Sequence, residues 1–482
     1  MHQGQRVAWN AALMIAKQAI MAVLSVVYVG YLARRLGVAA WGELQASLAI
    51  TSMAAVVAGL GVRGYLAREI AVTPELGPRH LGAALVVRGA MGTATLLCAT
   101  LFTLATRSGE GATLVVIAAA SQLATVLYTT MWLSFETHER FQYILYVELG
   151  ARLFVIGLSV ALVASGFGVL AAAGALALGN AIELVLTYHF LRARLYQPRL
   201  EVGFGELVAI AKKSIPLGLI GALLGVIRQA DRVILRWLDG ESAVGVFSAA
   251  WVLIEQLELI SDLVLGAAFA AGMRLYAHDQ PGFVKLFRTA LVVATALGLP
   301  LATGVSLVAP DVVALVYEGR DFAGTSDVLR VLAWHVPATF AFQVAALPLL
   351  ASKRERQLGA VLGPALVANV ALDMWLVPRH GALGAAFAAL VTSVGILVAT
   401  GILVLRYVRE APIGRLGGAT LATVVMTFVA LVALKTLGLW AAVIAGGITH
   451  AGLLLALRVV TIAEVRALAR RKPEKNREAA AT

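Results

Sequence analysis

Apolar runs of about 20 residues, the length that crosses a bilayer as one helix, recur from one end of the chain to the other. They leave it few ways to fold in water. Candidate spans cover approximately residues 8–32, 43–62, 81–105, 112–134, 142–165 and 168–190, then 213–237, 243–270, 285–308, 328–350, 359–378 and 382–405, and finally 416–437 and 439–460. A helix satisfies its own backbone hydrogen bonds, so such runs are expected to cross lipid as helices. Composition agrees. Of the 482 residues, 60% are hydrophobic and 14% charged, against about 25% charged in a soluble domain. The longest stretches outside the spans, approximately 63–80, 191–212, 309–327 and 461–482, are too short for a soluble catalytic domain. The expectation is an all-α polytopic membrane protein of about fourteen transmembrane helices, and not a soluble enzyme. Near the N-terminus Lys17 interrupts the apolar run and no A-x-A cleavage site stands out, so the stretch reads as an uncleaved first helix.

The net charge of +12 would suggest a nucleic-acid partner in a soluble chain. Its distribution gives another reason. With the N-terminus placed in the cytoplasm, segments on that side hold 25 of the 39 Lys and Arg, outer segments hold 8, and 6 lie within spans. This positive-inside bias agrees with an even number of spans and both termini in the cytoplasm. No nucleic acid is implied. Cys98 is the only cysteine, which excludes a disulfide framework and a cysteine metal site.

The chain also repeats itself. A shift of 203 residues lays Gly37–Gly42 on Gly240–Gly245, both G-x4-G turns between a first and a second span, each with an arginine just before it. A shift of 213 lays GVLAAA at 168–173 on GALGAA at 381–386. Two six-helix lobes with the same starting orientation imply a parallel repeat about an axis along the membrane normal. The expected organisation is an N-terminal lobe at 1–205, a C-terminal lobe at 206–410, two added helices at 411–460 and a basic cytoplasmic tail at 461–482. A seam between repeated lobes is the geometry of alternating access.

Several stretches resemble the polysaccharide-transporter family of flippases. They are YLARRLGVAAWGELQASLAI at 31–50 with GLGVRGYLAREIA at 59–71, DRVILRWLDGESAVGVFSAAWVL at 231–253, VLRVLAWHVPATF at 328–340, and Asn369 followed by LDMWLVPRHGALGAAFAAL at 372–390. The last, which contains Asp373, Pro378, Gly381 and Gly384, is the most specific. The resemblance covers essentially the whole chain in order. It implies the two-lobed fold of the multidrug/oligosaccharidyl-lipid/polysaccharide (MOP) exporter superfamily, in a bacterial inner membrane. The implied activity is flipping an undecaprenyl-diphosphate-linked oligosaccharide from the cytoplasmic to the periplasmic leaflet. The implied partners are that lipid-linked glycan, membrane lipids, and the polysaccharide polymerase and chain-length regulator of the same pathway. Asn10 resembles a polar position of the family's first helix, read as a helix-packing hydrogen bond.

Charges inside the spans carry the site hypotheses. A cation at the bilayer centre costs about 2.5–3.5 kcal/mol, so Lys17, Arg88, Arg152, Arg228, Arg232 and Arg458 are expected to face the interior, pair or snorkel. Arg88 and Arg458 lie near span ends, where snorkelling competes with a cavity role. Arg152 follows Glu148 by four residues, so a self-neutralising pair competes there. Lys17 is near mid-depth with no acid one turn away. It reads as a substrate-cavity cation or as the partner of an acid on another helix. Arg228 and Arg232 share a face, with Asp231 beside Arg232, and either want an anion or pair with the next span. That span carries Glu255, Glu258 and Asp262 on one face. These are a proton-coupling group or the counter-ions of the two arginines. Glu183 and Asp373 are lone acids with the same two readings. Cationic groups lining a wet cavity can replace the hydration of a diphosphate, with arginine offering paired donors. Pro216, Pro300, Pro337 and Pro348 are expected to interrupt their helices.

No GxxxxGK[ST], HExxH or G-x-S-x-G occurs, so neither ATP hydrolysis by this chain nor a bound cofactor or metal is expected. The eight histidines lack ligand spacing, and His335 reads as a core histidine rather than a proton relay. Rival readings are another transporter of the same superfamily, a drug or cation antiporter or a peptidoglycan-precursor flippase, and a membrane-embedded glycan polymerase or glycosyltransferase. A cation exporter calls for an acidic cavity. A membrane enzyme calls for a large outer loop or an acidic metal-binding pair.

Overall fold

A computed structural model describes residues 3–59, 61–72, 74–106, 109–318, 320–408 and 412–459. Among these residues there are helices and no strands. The first set is α1 (Gln3–Leu36), α2 (Val38–Gly59), the short α3 (Val62–Val72), α4 (Gly77–Thr106), α5 (Glu110–Thr137), α6 (Phe141–Ala164) and α7 (Val169–Arg194). The second is α8 (Phe204–Leu238), α9 (Glu241–His278), α10 (Gln280–Tyr317), α11 (Thr325–Ala333), α12 (His335–Ala351), α13 (Glu355–Leu403) and the short α14 (Leu405–Val408). α15 (Ile413–Leu437) and α16 (Leu439–Ala456) follow.

The helices follow the order of the expected spans, with three local features. First, α13 is one unbroken stretch of helix by hydrogen bonding, but Gly381 inside it has φ 55° and ψ −134°. Gly384 then meets the carbonyl of Leu376. A straight helix would hold residues eight apart at about 12 Å, so the chain doubles back and supplies two passages. Second, the expected span 328–350 is a single span over Thr325–Ala351, with α11 and α12 separated only by Trp334, whose backbone stays helical (φ −74°, ψ −13°). Third, the prolines act unevenly. Pro300 and Pro348 sit inside continuous helices. Pro337 lies in the first turn of α12, where no backbone donor is needed. α8 bends by 65° between Leu207–Ser214 and Gly218–Leu238, the stretch that contains Pro216. Among the described residues ten helices are long and apolar enough to cross a membrane, or eleven with bent α8. On that criterion the expected fourteen is not reached: α1 and α2 do not qualify, and α13, with its two passages, counts once.

Apolar surface sorts into a buried core and an outward face. Trp41, Phe247, Trp251, Phe283, Phe287, Tyr317 and Phe340 belong to a core that runs from α1 and α2 into α9–α13. Val424, Phe428, Trp440, Ile444 and Ile448 of α15 and α16 stand exposed, as lipid-facing side chains do in a multi-pass membrane protein. The two added helices dock on α10, where His450 Nε2 lies 2.8 Å from the Ala296 carbonyl oxygen.

Candidate functional site

The two glycine motifs that match in sequence meet in space. Gly37 (φ 81°) and Gly240 (φ 88°) make the turns into α2 and α9, in a region that favours glycine. A Cβ on Gly42 would strike the carbonyl of Glu241, and a Cβ on Gly245 would strike that of Val38. Val38 and Glu241 are themselves equivalent under the 203-residue shift, so the contact is reciprocal and the pseudo-two-fold relation passes through it. Charges fasten the same end of the bundle. Arg236 donates to Glu43 of α2 and to Glu241 of α9, each at 2.5 Å. Arg34 donates to the Val316 carbonyl and to Glu318, each at 2.8 Å, and to the Leu315 carbonyl. At the other end, a Cβ on Gly61 would strike Ser214 and Gly218 of α8.

Between these ends α8, α9, α12 and α13 bury a polar network. Arg228 Nη2 lies 2.6 Å from Glu258 Oε2. The arginine side chain keeps 47% of its surface exposed, while the glutamate keeps 7%. Arg228 continues the α8 face of Ile220 and Leu224, which line a cavity of about 290 Å³ together with Leu265, Phe342 and Gln343. Arg232 is buried. It donates to Glu255 at 3.3 Å and to Gln229 at 2.7 Å, and lies 5.7 Å from the Trp251 ring. Trp251 Nε1 also donates to Glu255, at 2.7 Å. Glu258 and Glu255 therefore divide between the two arginines. Only Arg228 and Glu255 keep a third or more of their side-chain surface exposed.

Asp231 turns away from Arg232 and towards α13. Asn369 Nδ2 donates to its Oδ1 at 2.9 Å. Asp231 and Asp373 are both buried, Asp373 completely, and they interact electrostatically, while neither Asp373 oxygen has a hydrogen-bond partner among the described residues. A buried pair of this kind accepts one positive charge, as a proton or a small cation. Among the described residues no group of three or more His, Cys, Asp or Glu is placed to hold a metal ion.

The first lobe contributes less. Arg88 Nη1 donates to Thr130 of α5 at 2.8 Å, an anchor within the protein. The expected Glu148–Arg152 ion pair is not formed among the described residues. Four residues apart puts two side chains on one face without making their charged ends meet. Glu183 is buried in α7. Asn180 donates to Ser121 and Thr125, and Gln122 to Ser52, so polar bonds tie α7, α5 and α2 together. Lys17 and Asn10 lie on α1 and Asp262 on α9, but their side chains lie outside the described residues. Pro378, Gly381 and Gly384 build the fold-back of α13, and Gly381 faces Asp239 at the end of α8.

Sequence reasoning missed two groups. His335, read as a core histidine, is buried but lies 3.2 Å from Glu258 Oε1 and 2.5 Å from Ser393 Oγ. Its only sequence signal was a histidine within an apolar span. Arg236 with Glu43, 193 residues apart, left no local signal.

This helical architecture defines a class. The chain has the fold of MOP-superfamily transporters: it matches an inward closed structure of the lipid II flippase MurJ with a TM-score of 0.73 at 14% identity, over 92% of this chain and 98% of that one. It also matches inward-facing and outward-facing structures of a multidrug resistance MATE family transporter of that superfamily. Their TM-scores are 0.62 and 0.58 at 16% and 17% identity, over 85% and 86% of this chain and 99% and 95% of theirs. No curated protein matches it in sequence. The family model for polysaccharide biosynthesis proteins matches residues 7–268, and the chain belongs to that family.

Proposed function

We infer that the protein flips an undecaprenyl-diphosphate-linked oligosaccharide from the cytoplasmic to the periplasmic leaflet by alternating access. It works in a bacterial inner membrane, with both termini in the cytoplasm. The single observation that carries this reading is Arg228. Its side chain is half exposed, and the carboxylate that holds it is buried. A diphosphate arriving there meets a guanidinium, whose planar fork suits paired phosphate contacts. An organic cation meets the wrong sign, which disfavours the drug-antiporter reading. Lys17, Arg88, Arg152 and Arg232 are secondary candidates for the same anion. Membership of the polysaccharide biosynthesis family supports a glycan cargo.

The reciprocal Gly42–Gly245 contact and the Arg236 and Arg34 bonds act as the outer gate, closed here. The Asp231–Asp373 pair is the candidate coupling site, with Asn369 holding it in place. Glu183 and Asp262 remain coupling candidates, while Glu255 and Glu258 serve the arginines. The polymerase and chain-length regulator of the pathway would take the product at the outer leaflet. Deleting the gene in its host should leave lipid-linked repeat units in the inner leaflet and stop surface polysaccharide. The wild-type gene should restore export, and a stably inserted Arg228→Ala protein should not. Full export by that variant would remove Arg228 from the mechanism.

A further inference from the structure

His335 occupies a position that the arginine–diphosphate contact does not by itself explain. Its Nε2 lies 3.2 Å from Glu258 Oε1, while Glu258 Oε2 holds Arg228 at 2.6 Å. One carboxylate therefore stands between an exposed guanidinium and a buried imidazole. On the other side of the ring, Nδ1 lies 2.5 Å from Ser393 Oγ, and that hydroxyl lies 2.6 Å from the Ala389 carbonyl oxygen.

The hydroxyl has one proton to give. If it goes to Nδ1, the ring is neutral and its Nε2–H points at Glu258. If it goes to the Ala389 carbonyl, Nδ1 must itself donate to Ser393. With Nε2 also protonated on the Glu258 side, the ring is then an imidazolium. Rotation of one hydroxyl thus accommodates either protonation state at Nδ1.

We propose that His335 is a proton-binding site linked to the occupancy of Arg228: it takes a proton from water when the arginine leaves Glu258 for a diphosphate, and returns it when the arginine comes back. The driving force is the buried carboxylate. With Arg228 withdrawn, Glu258 keeps its charge in a site that is 7% exposed, a costly arrangement without a second cation. The imidazolium supplies that cation 3.2 Å away. The proton goes to Nε2 or Nδ1 and no other bond changes.

Other charges near the ring do not remove this need. From α8, Arg232 is engaged by Glu255 and Gln229, and Asp231, within electrostatic reach of His335, accepts from Asn369. From α9, Glu255 is also held by Trp251, whose ring stands 5.3 Å from His335. From α13, Ser393 and Asp373 face this region. Among the described residues, no charged group of α10 or α11 bonds to the histidine; Arg330 pairs with Asp327.

The linkage has a sign. The occupied state binds more protons than the empty one, so lowering the pH strengthens binding. One linked proton gives a slope of at most about tenfold in affinity per pH unit. This proposal rests on the lipid-diphosphate reading, and the test separates the two. The full chain in lipid nanodiscs is titrated with a glycosyl polyprenyl diphosphate between pH 5.5 and 8. The ligand is a diphosphate diester and has no proton to exchange in that range.

The wild type should bind progressively tighter as pH falls. His335→Asn should stay at the weak, high-pH affinity throughout. Glu258→Gln, which frees Arg228 without leaving a buried charge, should bind tightly at every pH. If His335→Asn does not fold, Glu258→Gln carries the test. No binding by the wild type at any pH sinks the lipid-diphosphate reading itself. Wild-type binding with an unchanged pH profile in His335→Asn or in Glu258→Gln overturns the role of His335 and leaves that reading standing.

Discussion

At the scale of single residues, what matters is how each buried charge is answered. Arg228 is a half-exposed cation held by a buried carboxylate. Arg228→Ala is expected to lower the flipping rate about tenfold or more, the worth of one charge-assisted contact of about 1.5–3 kcal/mol. Arg228→Lys keeps the charge but loses the planar fork, and should fall between the two. Rates of headgroup movement across proteoliposomes check both. Asp373→Asn leaves Asp231 facing two amides. It should uncouple transport from its driving ion: downhill flipping persists, and stimulation by an imposed proton or sodium gradient disappears. Stimulation equal to wild type would move coupling elsewhere. The types and spacing of these residues were legible in the sequence, but their partners were not. Asp231 stands beside Arg232 in the chain and yet bonds across to Asn369, 138 residues away. Glu148 and Arg152 have the right spacing and still do not pair. Helical periodicity fixes which face a side chain shares, while the neighbouring helix decides what it touches.

Helices and their turns set where those residues stand. The G-x4-G match told where two helix starts were equivalent, and the structure puts the two starts against each other at Gly42 and Gly245. Repetition was visible because it leaves a pattern in composition. The direct contact between the repeats was not, because small residues at a helix interface look like small residues anywhere in an apolar run. Gly42→Val should push α2 away from α9 and reduce the population closed at this end. Cysteine cross-linking between the starts of α2 and α9 measures that loss, and undiminished cross-linking would contradict it. Gly381→Ala meets a second kind of constraint. Its φ of 55° with ψ of −134° suits glycine alone, so the substitution should cost about 1–3 kcal/mol, read as a lowered melting temperature in detergent. The continuity of α10 through Pro300 had no clear sequence signal, since tertiary packing decides whether a proline bends its helix.

For the whole molecule, hydropathy carried the class of protein, and membership of the polysaccharide biosynthesis family is what leads us to propose a glycan cargo. The fold adds the geometry of one state. The α1–α2 end is fastened by Arg34, Arg236 and the glycine contact, and a half-exposed cation lies deeper between the helices. A lipid-diphosphate carrier with that arrangement must load and release its cargo from different leaflets. The most direct measurement uses purified protein in proteoliposomes containing a fluorescent polyprenyl-diphosphate oligosaccharide, with a membrane-impermeant reagent destroying the label in the outer leaflet. A flippase makes nearly all the label accessible, and Arg228→Ala slows that loss by about tenfold. Loss that stops at about half the label, as in protein-free vesicles, or protein that moves organic cations but leaves the lipid in place, would contradict the assignment.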